Sequence, residues 1–195
     1  MLLELKKFDS SFSHINESNF ENIALKLFEL QYKNNLLYQT FAAHLGKDPS
    51  TVNSLSEIPF LPIRFFKTHP VICGSWVPEG VFTSSATSGM AVSRHSVKHM
   101  NFYLLNATAI FQHSYGPLEA YHFLALLPSY LERSGSSLIA MIDHFIKSDT
   151  SGHSGYYLNN YGDLLSKIAT LRSSPKKIIV RFVGPDDSPE RDKSR

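Results

Sequence analysis

The sequence has one cysteine, Cys73, so no disulfide can form within the chain and a small disulfide-stapled fold is excluded. No apolar run approaches the ~20 residues that a membrane-spanning helix needs. The nearest, YHFLALLPSY at 121–130, is short and is interrupted by Pro128. A charged-then-apolar leader is also missing from the start of the chain. Charge of one sign is scarce: 19 Lys and Arg face 17 Asp and Glu, a net +2. Apart from the tail, the basic residues are scattered rather than gathered on a stretch that would track nucleic acid. These absences predict a cytoplasmic protein with no membrane span and no nucleic-acid partner.

What is present suits a folded chain. Hydrophobic residues make up 43% and charged residues only 18%, which argues against general disorder. A chain of 195 residues is long enough for one domain that buries about 70% of its unfolded surface. Residues 18–45 read as one long amphipathic helix. Ser18 and Glu21 match a capping box, Phe20, Ile23, Leu27, Leu30 and Phe41 recur near helical spacing, and Gly46 supplies a stop. EIPFLPIRFFKTHP (57–70) holds prolines 59, 62 and 70, each without an amide donor, and reads as an extended apolar crossing.

Further along, 96–116 reads as a helix capped by Ser96 and closed near Gly116. AYHFLALLP (120–128) reads as a buried strand. GSSLIAMIDHFIKSD (135–149) has the 3–4 spacing of a helix through Leu138, Met141, Ile142 and Phe145. A helix over 162–172 precedes KKIIVRFVG (176–184), a strand of β-branched and aromatic residues. Helices alternating with short buried strands predict an α/β fold. The domain is expected over 1–183, with 184–195 a polar, disordered tail. Strand 176–183 leads into nothing in this sequence that could cover it, so a truncated or altered C-terminus is expected.

The chemistry concentrates in VFTSSATSGMAVSRHSV (81–97). Small residues let backbone amides approach an anion closely, hydroxyls add rotatable donors, and Arg94 and His95 supply positive charge. A helix starting near Ser96 would turn its free amides and dipole toward the same anion. The glycine-lysine-serine/threonine run of a P-loop is absent, and a solvated linker accounts for the same composition.

FTSSATSG (82–89) resembles the Ser/Thr/Gly-rich phosphate loop of adenylate-forming enzymes. The likeness is greatest to LuxE-type acyl-protein synthetases and relatives of phenylacetate–CoA ligase, whose core reads Ser-Ser-Gly-Thr-Thr-Gly. Ser84, Ser85, Thr87, Ser88 and Gly89 match it or are conservative, while Ala86 replaces a glycine. IPFLPIRFFKTH (58–69) and LLPSYLERSGSSLIAMIDHFI (126–146) resemble the segments before and after that loop, so the likeness spans roughly residues 20–180.

The resemblance implies part of an acyl-CoA synthetase-like N-terminal domain. Thr83, Ser84, Ser85, Thr87, Ser88, Gly89, Arg94 and His95 would hold the phosphates of ATP, with Mg²⁺. A carboxylic (fatty) acid would be activated as its acyl-adenylate, and the acyl group would pass to a thiol of a protein or of coenzyme A. The family's later parts, an acidic tyrosine-glycine segment, a ribose-binding aspartate and a mobile C-terminal domain, have no counterpart in this sequence. An incomplete, poorly stable or self-associating form that does not finish adenylation alone is therefore expected. A non-catalytic binding or assembly module is the alternative.

The other candidates are weaker. Cys73 reads as a small buried hydrophobe. His95 and His99 have the i,i+4 spacing of two helical metal ligands, yet no accompanying glutamate, and no metal site is expected. Ser129 and Ser154 lack the glycine-x-serine-x-glycine turn of a hydrolase nucleophile. An acyltransferase or hydrolase unrelated to ATP is disfavoured because no nucleophile–base pair stands out. Arg64, Phe65 and Phe66 are candidates to line an acyl pocket, although core packing explains the phenylalanines as well.

Overall fold

The structure, a computed structural model, describes residues 15–84, 92–126, 135–158 and 160–182. The chain divides into two compact units, 1–77 and 78–195.

In the first unit the helix expected over 18–45 is two helices, α1 (Phe20–Asn34) and α2 (Leu36–His44). Asn35 interrupts them with an extended backbone, φ −125° and ψ 97°, and its side chain accepts the Tyr38 amide at 3.1 Å. One residue thus ends one helix and caps the next. The expected capping box also differs. Asn19 is the N-cap of α1, and the Ser18 amide and hydroxyl both donate to Asn16 Oδ1. Glu21 instead accepts the Leu55 amide at 2.9 Å, tying α1 to the 3₁₀ turn Leu55–Glu57, where Ser54 and Glu57 form the capping box.

Gly46 follows α2 at φ +67°, as its place after the helix suggested. Residues 59–62 hold neither helix nor strand, while Phe65–Thr68 make one helical turn, α3, inside the stretch expected to be extended. Phe28, Tyr38, Ala42 and Val52 form the core of this unit.

The second unit begins with a hairpin, β1 (Gly80–Thr83) antiparallel to β2 (Arg94–Val97). Helices α4 (Met100–Tyr115), α5 (Ser137–Ser148) and α6 (Tyr161–Leu171) then alternate with β3 (Tyr121–Leu126), β4 (Gly155–Tyr156) and β5 (Lys177–Phe182). The three later strands form a parallel sheet in the order β4–β3–β5. Every residue of β3 is buried, as a central parallel strand covered on both faces requires.

Its side chains alternate between two apolar clusters. Tyr121, Phe123 and Ala125 meet Ile142 and Phe145 of α5 and Phe111 of α4, whereas Leu124 and Leu126 meet Leu164 and Leu171 of α6. The fold is thus mixed α/β, with helices packed on short buried strands.

Two expectations are corrected. The helix expected from Ser96 starts at Met100, because Arg94–Val97 is spent as a strand whose Ser96 pairs with Val81. Strand β5 is covered in part: it pairs with β3 along its whole length, Ile178 and Val180 pack in the α6 cluster and Ile179 packs in the α5 cluster, while β5 remains the edge strand of the sheet. The expected tail, 184–195, lies outside the described residues.

Candidate functional site

The hydroxyl-rich segment is the connection of the β1–β2 hairpin. Thr83 pairs with Arg94 and Phe82 with His95. The Ser84 amide donates to the Ser93 carbonyl and the Ser93 amide donates to Ser84 Oγ, each at 3.1 Å. Backbone and side chain of Ser84 therefore close the mouth of the loop together. Directly paired residues share a face, so Thr83 and Arg94, both exposed, stand side by side at that mouth. His95 is also exposed but belongs, by the strand's alternation, to the other face. Ser85, Thr87, Ser88 and Gly89 lie outside the described residues.

The base of the hairpin is anchored from two sides. Phe82 is buried, with its ring 4.8 Å from that of Tyr103 in α4. The Thr83 amide donates to the Gly135 carbonyl at 2.8 Å. Gly135 has φ +100°, and a Cβ there would meet Thr83 Oγ1 and the Val81 carbonyl at 3.1 Å, so glycine is needed both for its conformation and for the close approach.

At the start of α4 a carboxylate of the chain itself serves as the cap: Glu79 Oε2 accepts the Met100 amide at 2.7 Å, and its Oε1 lies 3.1 Å from His99 Nδ1. A carboxylate of the chain thus meets the positive end of the helix. The Met100 amide, and after it His99, hold Glu79 below the usual carboxylate range. His95 in β2 and His99 at the cap of α4 do not share a helix. Among the described residues no three His, Cys, Asp or Glu side chains gather as metal ligands.

The first unit contains an apolar cavity of about 540 Å³, lined by Phe20, Ile23, Leu27, Leu61 and Phe66 among others. The Tyr38 hydroxyl at its wall donates to the Pro59 carbonyl at 2.7 Å, and burial pushes its phenol up to about 12. Of the proposed acyl-pocket residues, Phe66 lines this cavity, whereas Phe65 lies against Phe41 and His69 and Arg64 is exposed at the start of α3. Cys73 is half-buried and burial raises its thiol, the opposite of activation.

A second polar cluster escaped the sequence reading. His122, 1% exposed, stands on the α6 side of β3, the face it shares with Leu124 and Leu126. Its Nδ1 lies 3.3 Å from Asp149 Oδ2 and its Nε2 lies 3.0 Å from Ser174 Oγ. Asp149 Oδ2 also accepts the Ser154 hydroxyl at 2.5 Å, the Ser154 amide at 3.2 Å and the Ser151 hydroxyl at 2.8 Å. Its Oδ1 accepts Lys176 Nζ and the Ser151 amide, each at 3.0 Å.

Ser154, weighed earlier as a nucleophile, instead braces the carboxylate and accepts the Phe123 amide at 2.9 Å. The available signal was one imidazole inside an otherwise apolar strand. Its partners lie 27 and 52 positions away, where no local spacing can point to them.

No known protein family, characterised protein or solved structure matches the chain. Any functional reading therefore rests on its own residues.

Proposed function

We propose that the chain takes part in the ATP-dependent activation of a carboxylic acid to its acyl-adenylate, ahead of transfer of the acyl group to a thiol of a protein or of coenzyme A. The observation that supports this reading is the closed mouth of the hydroxyl-rich loop. Ser84 bonds twice across it, and Thr83 stands beside Arg94 on an exposed face. The two Ser84–Ser93 hydrogen bonds hold the two ends of the connection together. The guanidinium is suited to bidentate contact with phosphate oxygens.

In this role the loop positions the β- and γ-phosphates and offsets charge that moves to the departing pyrophosphate. Mg²⁺ would arrive with the nucleotide. The test pairs ATP binding with carboxylate-dependent exchange of pyrophosphate into ATP, using the whole chain and a panel of short- to long-chain acids. The Ser85→Ala/Thr87→Ala double variant should bind ATP at least about tenfold more weakly, since each lost charge-assisted hydrogen bond is worth about 1.5–3 kcal/mol. Its melting temperature should stay close to that of the unaltered chain.

Equal ATP affinity in a folded double variant would reduce the loop to a linker. A non-catalytic binding module is the second reading, favoured by the apolar cavity of the first unit, whose Tyr38 hydroxyl is already satisfied internally. A folded chain that binds no ATP would select it.

A further inference from the structure

The cluster around His122 has the order of a charge-assisted nucleophile: hydroxyl, imidazole, carboxylate. Its hydrogen bonds assign the imidazole tautomer. Nδ1 faces Asp149 Oδ2 at 3.3 Å and Ser151 Oγ at 3.4 Å. The Ser151 hydroxyl already spends its hydrogen on Asp149 Oδ2, so both oxygens facing Nδ1 are acceptors and Nδ1 carries the hydrogen. In the neutral ring Nε2 then offers its lone pair, and the atom before it, at 3.0 Å, is Ser174 Oγ. The Lys176 amide donates to that same oxygen at 3.2 Å, favouring any negative charge that develops there. His122 is buried and Asp149 nearly so, whereas Ser174, in the turn before β5, is only half-buried. Ser174, unlike His122, is thus not a fully buried residue.

We propose that Ser174 is a nucleophile that accepts an acyl group from an activated carboxylic ester, with His122 as its general base and Asp149 as the positioning residue for the imidazole. The Ser174 oxygen attacks the carbonyl carbon and forms the new C–O bond as its proton passes to His122 Nε2. The imidazolium so formed lies against the Asp149 carboxylate. Collapse of the tetrahedral intermediate breaks the bond to the leaving alcohol, which departs with the proton from Nε2. The product is an acyl-serine, with no change of oxidation state; attack of water on its carbonyl carbon, with the water's proton taken by His122 Nε2 and passed to the departing Ser174 oxygen, would release the carboxylic acid and return the serine. This inference does not rest on the adenylate reading.

The test exposes the whole chain to a fluorophosphonate probe and to p-nitrophenyl acetate, with attachment mapped by peptide mass spectrometry. One label at Ser174 is expected. Ser174→Ala should abolish it while melting close to the unaltered chain, and His122→Gln should slow it about 10²- to 10⁴-fold, the span of general-base assistance. Asp149→Asn should invert the imidazole tautomer, seen as exchange of the two ring ¹⁵N shifts of His122, which a role confined to holding the turn would not require.

Absence of label at Ser174, or equal labelling of Ser174→Ala, would overturn the proposal and leave the cluster a structural clasp. Should His122→Gln fail to fold, the unaltered protein still decides the matter. A ¹⁵N spectrum with the hydrogen on Nε2 overturns the base assignment, and one with it on Nδ1 supports it.

Discussion

Burial alone would raise the carboxyl of Asp149, yet hydrogen bonds from Ser154, Lys176 and Ser151 outweigh it and hold the group well below the usual carboxylate range. Between that depressed value and the ordinary one near 3.9, the unfolded chain binds the extra proton. Stability therefore rises with pH through this window, is fully present above about 4, and is lost as pH falls toward the folded value. Urea titrations of the unaltered chain should show this slope, and Asp149→Asn should flatten it.

At pH 7 the same change should cost about 3 kcal/mol, the lower end for breaking a buried pair. Lys176 is 26% exposed and can recover some hydration, which sets that lower figure. At the hairpin, the alternation of β2 separates two neighbours that the sequence offered together. Arg94 shares the face of Thr83 and His95 does not. Arg94→Ala should therefore weaken ATP binding, measured by calorimetric titration with ATP, more than His95→Ala. The reverse order would show that the cation at the loop mouth is misassigned.

Among the elements, the hairpin depends on a contact from outside itself. Gly135 accepts the Thr83 amide while holding φ +100°, and a methyl group there would lie 3.1 Å from the Val81 carbonyl, tighter than an ordinary contact. Gly135→Ala should cost about 2 kcal/mol, combining left-handed strain with a forced shift of strand β1. Hydrogen exchange at the Thr83 amide should accelerate more than exchange within β3. An unchanged Thr83 rate would mean that the hairpin does not lean on this glycine. The same scale explains the break between α1 and α2, where a polar side chain that bonds its own backbone three residues on competes with continuation of the helix.

The second unit, taken whole, is organised by one buried strand. Phe123 is 2% exposed, with its ring 5.7 Å from Phe111 and 5.4 Å from Phe145, so α4 and α5 meet the sheet through it. Phe123→Ala should cost about 3–5 kcal/mol through lost burial and the cavity left behind. Leu165, 67% exposed on α6, provides the contrast, and Leu165→Ala should stay within about 0.5 kcal/mol. Chemical denaturation of the two variants measures both. Similar losses would contradict a core centred on β3.

The sequence by itself determined the elements whose signal is local. The apolar run of 121–126, the 3–4 spacing of 137–148, the helix of 161–171 and the β-branched run of 177–182 fold as their periodicity predicts. Each is a repeat of side chains along one short segment, and burial of one face or both is all that it needs. Tertiary structure decided what depends on partners. Arg94–Val97 became a strand because Gly80–Thr83 was available to pair with it, although its continuation into 100–115 is helical. Val180 and its neighbours pack with α6 and α5, elements that precede β5 in the chain rather than follow it. The hydroxyl, imidazole and carboxylate of Ser174, His122 and Asp149 meet because the α5–β4 and α6–β5 connections pass beside the start of β3. A parallel sheet brings together residues separated by entire crossovers, and no periodicity along the chain records which of them will touch.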